Sequence, residues 1–311
     1  MRLSFLLAPL LLFAATAPAT AAEPPVPLLW KVSDADNSLY LLGSFHLLQA
    51  SDYPLSADID GAFADAESVL FEMSPAEMAS PTLAMEMGQA ALRTDGTLLD
   101  SDLPEALRAR LQAWGESSSS VLQAQGMAPG MLQRFEPWFV ALTVSMVDMV
   151  QAGFKPELGL DQHFARAAGK AGKPTAGLET AKQQIAFLDG MDHAEQLQYL
   201  SEVLDASGAE NDDLERLHAA WRNGDPKGVW QLAGAEMQAR YPKLYQRINV
   251  QRNDAWLPRL EARLAAPGDD DTLVVVGALH LLGKDGLVDK LRARGYTVER
   301  VCSGCTGAAT R

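Results

Sequence analysis

Two segments far apart in the chain end in the same way. Gly43-Ser44-Phe45-His46-Leu47-Leu48 closes the apolar run Ser38–Leu42, and Gly277-Ala278-Leu279-His280-Leu281-Leu282 closes the apolar run Thr272–Val276. A glycine at a strand end permits a sharp exit or a close backbone approach. The histidine then falls on the loop beyond the strand, where α/β sheets carry their reactive groups. Neutral imidazole ligates transition metals and also serves as a general base. The chain has only five histidines, and His163, His193 and His218 lie in helical or turn sequence without this context. If the two runs are neighbouring strands, His46 and His280 share one site.

Two carboxylates occupy similar positions. Glu72 closes Ser-Val-Leu-Phe-Glu-Met and Glu179 closes Pro-Thr-Ala-Gly-Leu-Glu. A charge at the end of a buried strand is costly unless it is paired, hydrogen-bonded or bound to a metal. Taken singly, Glu72 also reads as an exposed strand end and Glu179 as the first turn of a helix. Together, two histidines and two glutamates at strand ends describe a hydrolytic metal site, with a carboxylate to activate water. The chain has no His-Glu-x-x-His, no Gly-rich phosphate loop and no Gly-x-Ser-x-Gly elbow. Ser44 lacks the elbow context that a serine nucleophile needs.

The elements that must position these residues are strands scattered through a helical chain. Leu29–Ser33 and Leu39–Gly43 alternate around the turn composition Asp34-Ala35-Asp36-Asn37, which predicts a hairpin. Ser68–Met73 follows a helix over Ala57–Ala66. Pro174–Glu179 and Thr272–Gly277 read as buried strands, and Tyr296–Val301 as the last one. Apolar residues at three- and four-residue spacing predict helices over Pro104–Trp114, Pro137–Ala152, Leu158–Ala168, Ala194–Ala206, Asp213–Trp221 and Val250–Leu264. The strands span the whole length, so residues 23–311 are expected to form a single domain. Its α/β core sheet is interrupted by helical insertions at about 80–152 and 181–266.

Composition narrows the partners. The formal charge is −14 and the basic residues form no long cluster, which disfavours nucleic acid. Residues 1–22 carry Arg2, the apolar run Leu3–Ala15 and small residues ending at Ala22, the pattern of a cleaved signal peptide. That run is shorter than the roughly 20 residues a spanning helix needs, and no later segment is apolar enough to cross a membrane. The expected location is periplasmic or secreted. In that oxidising setting Cys302 and Cys305 are expected to form a local disulfide. A redox role would call for a helix opened by the thiols, and Thr306–Arg311 offers none.

Over nearly all of the mature length the chain resembles the TraB/GumN family, also called TraB/PrgY/GumN. The resemblance rests on Gly43-Ser44-Phe45-His46, Glu72, Gly159-Leu160-Asp161 and Gly177-Leu178-Glu179-Thr180 with Gln183. It continues through Arg252-Asn253 with Trp256, and Gly277-Ala278-Leu279-His280 with Asp285-Gly286 and Gly295-Tyr296. Leu279 departs from the Gly often found before the second histidine. The resemblance implies a fold similar to erythromycin-esterase-like and haem-binding relatives, and an activity like that of metal-dependent proteases. Carried over by position, His46, His280 and Glu72 would hold a divalent ion (Mn, Co or Zn). Glu179 or Glu72 would activate water, and Arg252 or Asn253 would steady the oxyanion. The substrate implied is a peptide or small molecule. The alternative is an envelope protein that binds a metal, haem or a peptide without turnover.

Overall fold

The computed structural model describes residues 23–207 and 212–305, so the expected signal peptide lies outside the described residues. Six strands form one mixed sheet: β1 (Leu29–Ser33), β2 (Ser38–Ser44), β3 (Ser68–Met73), β4 (Thr175–Glu179), β5 (Thr272–Gly277) and β6 (Thr297–Arg300). Their order is β4-β3-β5-β2-β1-β6. The inner pairs β2–β5, β3–β5 and β3–β4 are parallel, while β1 runs antiparallel to β2 and β6. This division follows the sequence. β2 is buried along its whole length, and β5 is buried up to Val276. Such continuous apolar runs suit parallel strands covered on both faces.

The hairpin between β1 and β2 is closed by Asp34, whose Oδ1 accepts from the backbone N–H groups of Asp36 and Asn37. Helix Leu160–Ala171 begins two residues later than the periodicity predicts, because a 3₁₀ turn occupies Pro156–Leu158. It ends at Gly172, whose φ of 68° is the left-handed cap that glycine adopts readily. Helix His193–Ala206 opens with a reciprocal capping box between Asp192 and Glu195.

Both predicted tracts are helical, but the second holds two features that periodicity does not announce. Trp230–Ala235 and Gln246–Val250 are π-helical, and the latter runs directly into helix Gln251–Leu264. One widened turn barely disturbs a 3.6-residue apolar pattern, so the sequence reads as ordinary helix. The sheet holds one large apolar core. The tracts form a second one, where Val140, Val144 and Val147 pack with Leu200 and Leu204. Side chains of this kind contribute about 1.5–3 kcal/mol each when fully buried, so the two tracts hold each other. Among the described residues no helix is long and apolar enough to cross a membrane.

Candidate active site

The doubled motif has a simple geometric origin. β2 and β5 are adjacent and parallel, with Gly43 opposite Val276 and Ser44 opposite Gly277. Both chains therefore leave the sheet at the same level, and both histidines follow at the carboxyl end. On the other side of β5, Phe71 is paired with Val275, which brings Glu72 to that level too. Met73 pairs with Glu179 on β4. The four strand-end residues predicted from sequence thus meet at one end of the sheet.

Gly277 is the point of convergence. A Cβ built there would lie 3.2 Å from Glu72 Oε1, 3.3 Å from His46 Nε2 and 3.6 Å from His280 Cδ2. The Gly277 N–H donates to Glu72 Oε1 at 2.7 Å. That same oxygen is 4.0 Å from His46 Nε2 and 3.8 Å from His280 Nε2. A larger residue at 277 would fill the space these groups share.

Each imidazole is fixed through its other nitrogen. His46 Nδ1 is 2.8 Å from Asp161 Oδ2, which also accepts from Ser44 Oγ at 2.6 Å. Asp161 lies in the first turn of helix Leu160–Ala171, brought against the His46 loop by Gly159. A Cβ on Gly159 would sit 1.9 Å from the His46 carbonyl oxygen. His280 Nδ1 donates to Asn253 Oδ1 at 2.7 Å. The Asn253 amide donates to the carbonyls of Asp285 and His280 at 2.8 and 3.2 Å, which fixes its orientation. Both Nε2 atoms are thereby turned toward Glu72, the arrangement expected of histidines held for a metal or for proton transfer.

Arg252 occupies the centre of the polar cluster. Its Nη2 donates to Glu72 Oε2 and Glu179 Oε1, both at 2.6 Å, and its Nη1 lies 3.1 Å from His280 Nε2. Its Nε donates to both Glu179 oxygens at 3.1 and 3.2 Å. Trp256 Nε1 adds a donor to Glu179 Oε2 at 3.0 Å, and the guanidinium lies 4.8 Å from the Trp256 ring centroid. The helix register explains this set, since Arg252, Asn253 and Trp256 follow directly from the π-helical turn Gln246–Val250.

The charges shape the titrations. Burial opposes ionisation of Glu72, but Arg252 and the two histidines outweigh it and hold its carboxyl well below the usual range. The Asp161 carboxylate raises His46 to about 9 against the opposing effect of desolvation. The His46 side chain is 56% exposed, so solvent on its open flank screens part of that attraction. Burial, reinforced by the Arg252 charge, lowers His280 to about 3 and keeps it neutral. Arg252 itself is held above its ordinary value, because Glu72 and Glu179 more than offset its burial.

These groups open onto a cavity of about 320 Å³. His46, Arg252 and His280 line it, and the π-helical turn adds Ile248 and Asn249. Glu72 is 8% exposed and sits behind them. Glu179 is 4% exposed, with both oxygens already accepting from Arg252 or Trp256. Asn253 is fully buried and its amide is used within the protein. Asp161 and Trp256 belong to motifs that sequence reading notes without giving them roles. Their only signal is an acid two residues after a glycine and an indole four residues after an arginine. The structure also joins Cys302 to Cys305 in a disulfide, beyond β6.

The fold and the site define the class. The chain belongs to the TraB/PrgY/gumN family, matched over residues 28–300. Among its relatives is the uncharacterized protein YbaP of Escherichia coli (strain K12). The two are 26% identical over 254 residues, which covers 81% of this chain and 87% of that protein. The YbaP of Shigella flexneri is similar to the same extent, also 26% identical over 254 residues. No solved structure matches the chain.

Proposed function

We propose that the protein is a metal-dependent hydrolase acting on peptide bonds at the His46–Glu72–His280 cluster. The observation that carries this is the convergence of both Nε2 atoms on Glu72 Oε1, with each Nδ1 already committed to Asp161 or Asn253. The donor set suits a divalent transition ion in kind. Charge supports it as well. Glu72 and Glu179 share the Arg252 guanidinium, which leaves that trio one positive charge short of neutrality, while Asp161 pairs with the imidazole of His46.

Spacing tests the fit further. Two ligands about 2.0–2.1 Å from a tetrahedral ion lie roughly 3.3–3.5 Å apart, slightly closer than the 3.8 and 4.0 Å found here. Among the described residues no three His, Cys, Asp or Glu side chains already stand at metal-holding distances. A small inward rotation of the imidazoles, with release of the Arg252–His280 contact, would close the difference. His46, His280 and Glu72 would then hold Mn, Co or Zn. Such an ion supplies Lewis-acid polarisation of a carbonyl and a lowered pKa for water.

The protein's own groups supply the rest. Glu72 Oε1, the oxygen facing the two imidazoles, would be the ligand, and Oε2 accepts from Arg252, so Glu72 would accept a proton only where Oε2 gives up that contact. Glu179 was the other candidate for that task, and here it holds Arg252 in place. Arg252, bridging the glutamates at the cavity wall, would donate to a developing oxyanion through Nη1 once its contact with His280 Nε2 is released. Asn253 keeps His280 in its tautomer. Export is proposed from the sequence of residues 1–22, and the mass of the protein recovered from a periplasmic fraction tests it.

The contact between Arg252 and His280 Nε2 favours a second reading, a site that binds a ligand without turnover. Metal titration of the purified chain followed by digestion of a peptide library, with and without chelator, separates the two. A hydrolase should bind about one equivalent of metal and cleave peptides only when loaded. His280→Ala should lose both properties, whereas a loss of cleavage with metal content unchanged would remove His280 as a ligand. Metal binding with no cleavage across the library would favour the binding protein.

A further inference from the structure

The site cavity is not isolated. Met149, Leu217, Ala233 and Met237 line it and also line a second cavity of about 340 Å³, so the two lie side by side against the same four side chains. Each lies in the range of about 300–1,000 Å³ usual for ligand sites. Their linings differ in charge. Around the inner one, Phe45, Leu47, Val229, Met237 and Leu279 surround a floor that carries His46, Arg252 and His280, with Tyr245 also in the lining. The outer one carries Asp148, Glu202, Asp205, Asp213 and Glu236 against Arg240, on a wall that is otherwise mostly apolar.

We infer that the two cavities form one groove for an extended peptide, with a bulky apolar side chain in the inner cavity beside the scissile bond and no acidic residue in the outer stretch. This rests on the hydrolase reading, whose reactive groups form the inner floor. The apolar walls leave few partners for a polar side chain, which would be desolvated there. A hydrocarbon long enough to fill both cavities would leave its far half against carboxylates. A peptide brings polar backbone to that stretch instead. Asp205 is engaged with Arg110 and Arg240, and Glu236 with Arg240. Glu202 Oε2 is buried with no hydrogen-bond partner among the described residues. Acids outnumber the one cation lining that cavity, and Asp205, Glu236 and Arg240 are 40–50% exposed, so an acidic side chain entering it would meet a solvent-screened excess of like charge, whereas a neutral or basic one would not. The inner cavity therefore selects by size and apolarity, and the outer one by exclusion.

The test is binding, measured apart from turnover. Labelled hexapeptides are titrated by fluorescence anisotropy into the full chain kept in chelator. One pair exchanges Phe for Ala at a single position, and a second exchanges Lys for Glu two residues away. The Phe peptide should bind about tenfold or more tightly than the Ala peptide, as burial of its ring implies. The Glu peptide should bind more weakly than the Lys peptide, with the gap narrowing as salt is raised. Leu232→Trp, at a residue that lines the outer cavity and not the inner one, should erase the Lys/Glu preference while the Phe preference survives. Leu214→Trp serves the same purpose if Leu232→Trp loses its thermal transition, and the wild-type pairs decide the matter if neither variant folds. Equal binding of Phe and Ala peptides, or a preference for Glu, overturns the groove. Cleavage without sequence preference on adding metal also overturns it, yet leaves the hydrolase standing. The expected preferences without any cleavage support the groove while the hydrolase reading fails.

Discussion

Arg252→Ala tests the electrostatic logic of the site directly. The guanidinium is the cation that Glu72 and Glu179 share, through Nη2 contacts of 2.6 Å to each. Both carboxylates are buried, at 8% and 4% exposure. Removing one partner of a buried ion pair costs about 3–5 kcal/mol, because the remaining charge keeps its desolvation penalty. Here two charges lose the same partner, although Trp256 and the Gly277 N–H still serve them. The upper part of that range is expected. With a urea slope near 3 kcal/mol per molar, the midpoint should fall by roughly 1.3–1.7 M.

The pH dependence carries the sharper signature. In the wild type the Glu72 carboxyl is depressed, so its contribution is fully present above the unfolded value of 4.5 and fades as pH falls through the folded value. Without Arg252, burial dominates and raises that carboxyl above 4.5. Its effect then destabilises the fold at neutral pH and weakens as the medium is acidified toward 4.5. The gap between variant and wild type should narrow between pH 8 and pH 5. Urea titrations in chelator at both values measure it, and Arg252→Ala combined with Glu179→Gln should recover part of the loss by removing one stranded charge. A gap of equal size at both pH values, or a midpoint within 0.3 M of wild type (roughly 1 kcal/mol at that slope), would refute the view of Arg252 as the shared counterion.

Two further predictions concern positions away from the arginine. Gly159→Ala drives a methyl to within 1.9 Å of the His46 carbonyl oxygen, a contact with backbone that no rotamer change relieves. It should destabilise by about 1–3 kcal/mol and weaken metal binding by loosening the Asp161–His46 contact, measured by denaturation and calorimetric titration; unchanged values for both would mean the helix start is free to move. Glu202 is pushed up to about 7 by burial, with Arg240 opposing and Glu236 adding to the effect. Its cost therefore appears as pH rises from the unfolded 4.5 toward 7, and Glu202→Gln should gain about 1–2 kcal/mol over wild type between pH 5 and pH 8, after allowance for partial exposure. Parallel stability curves for the two proteins would remove the buried carboxylate as their cause.

What the sequence shows of this site depends on whether a residue's role is written in its own neighbourhood. Gly43, His46, Gly277 and His280 were legible because each pair repeats one local pattern, and a local pattern fixes where a chain leaves a strand. Glu72 and Glu179 were legible as positions, since a charge ending an apolar run is conspicuous. Their division of labour was not. That Glu179 faces Arg252 and Trp256, while Glu72 also faces the imidazoles, follows from β4 lying at the edge and β3 next to β5. Strand order is a long-range property that neither run announces. Asp161 was hidden for a related reason. It reads as an ordinary acid in the first turn of a helix, and only the close approach at Gly159 brings it to His46.

The position of Arg252 also bears on why the helical tracts belong to the function. The sheet alone assembles His46, Glu72, Glu179 and His280, a set with excess negative charge and no fixed orientation for His280. The counterion and the tautomer-setting amide, Arg252 and Asn253, both come from helix Gln251–Leu264 at the end of the second tract. The apolar wall comes from further tract residues, among them Met149, Leu217 and Met237. The first tract is packed against the second through Val140, Val144 and Leu200, so a change in either reaches the wall of the cavity. On the proposed reading, the sheet supplies the donor atoms and the helices supply charge balance, orientation and selection. Substitutions in the helical tracts should then alter which peptides bind more readily than they alter whether the imidazoles and Glu72 come together.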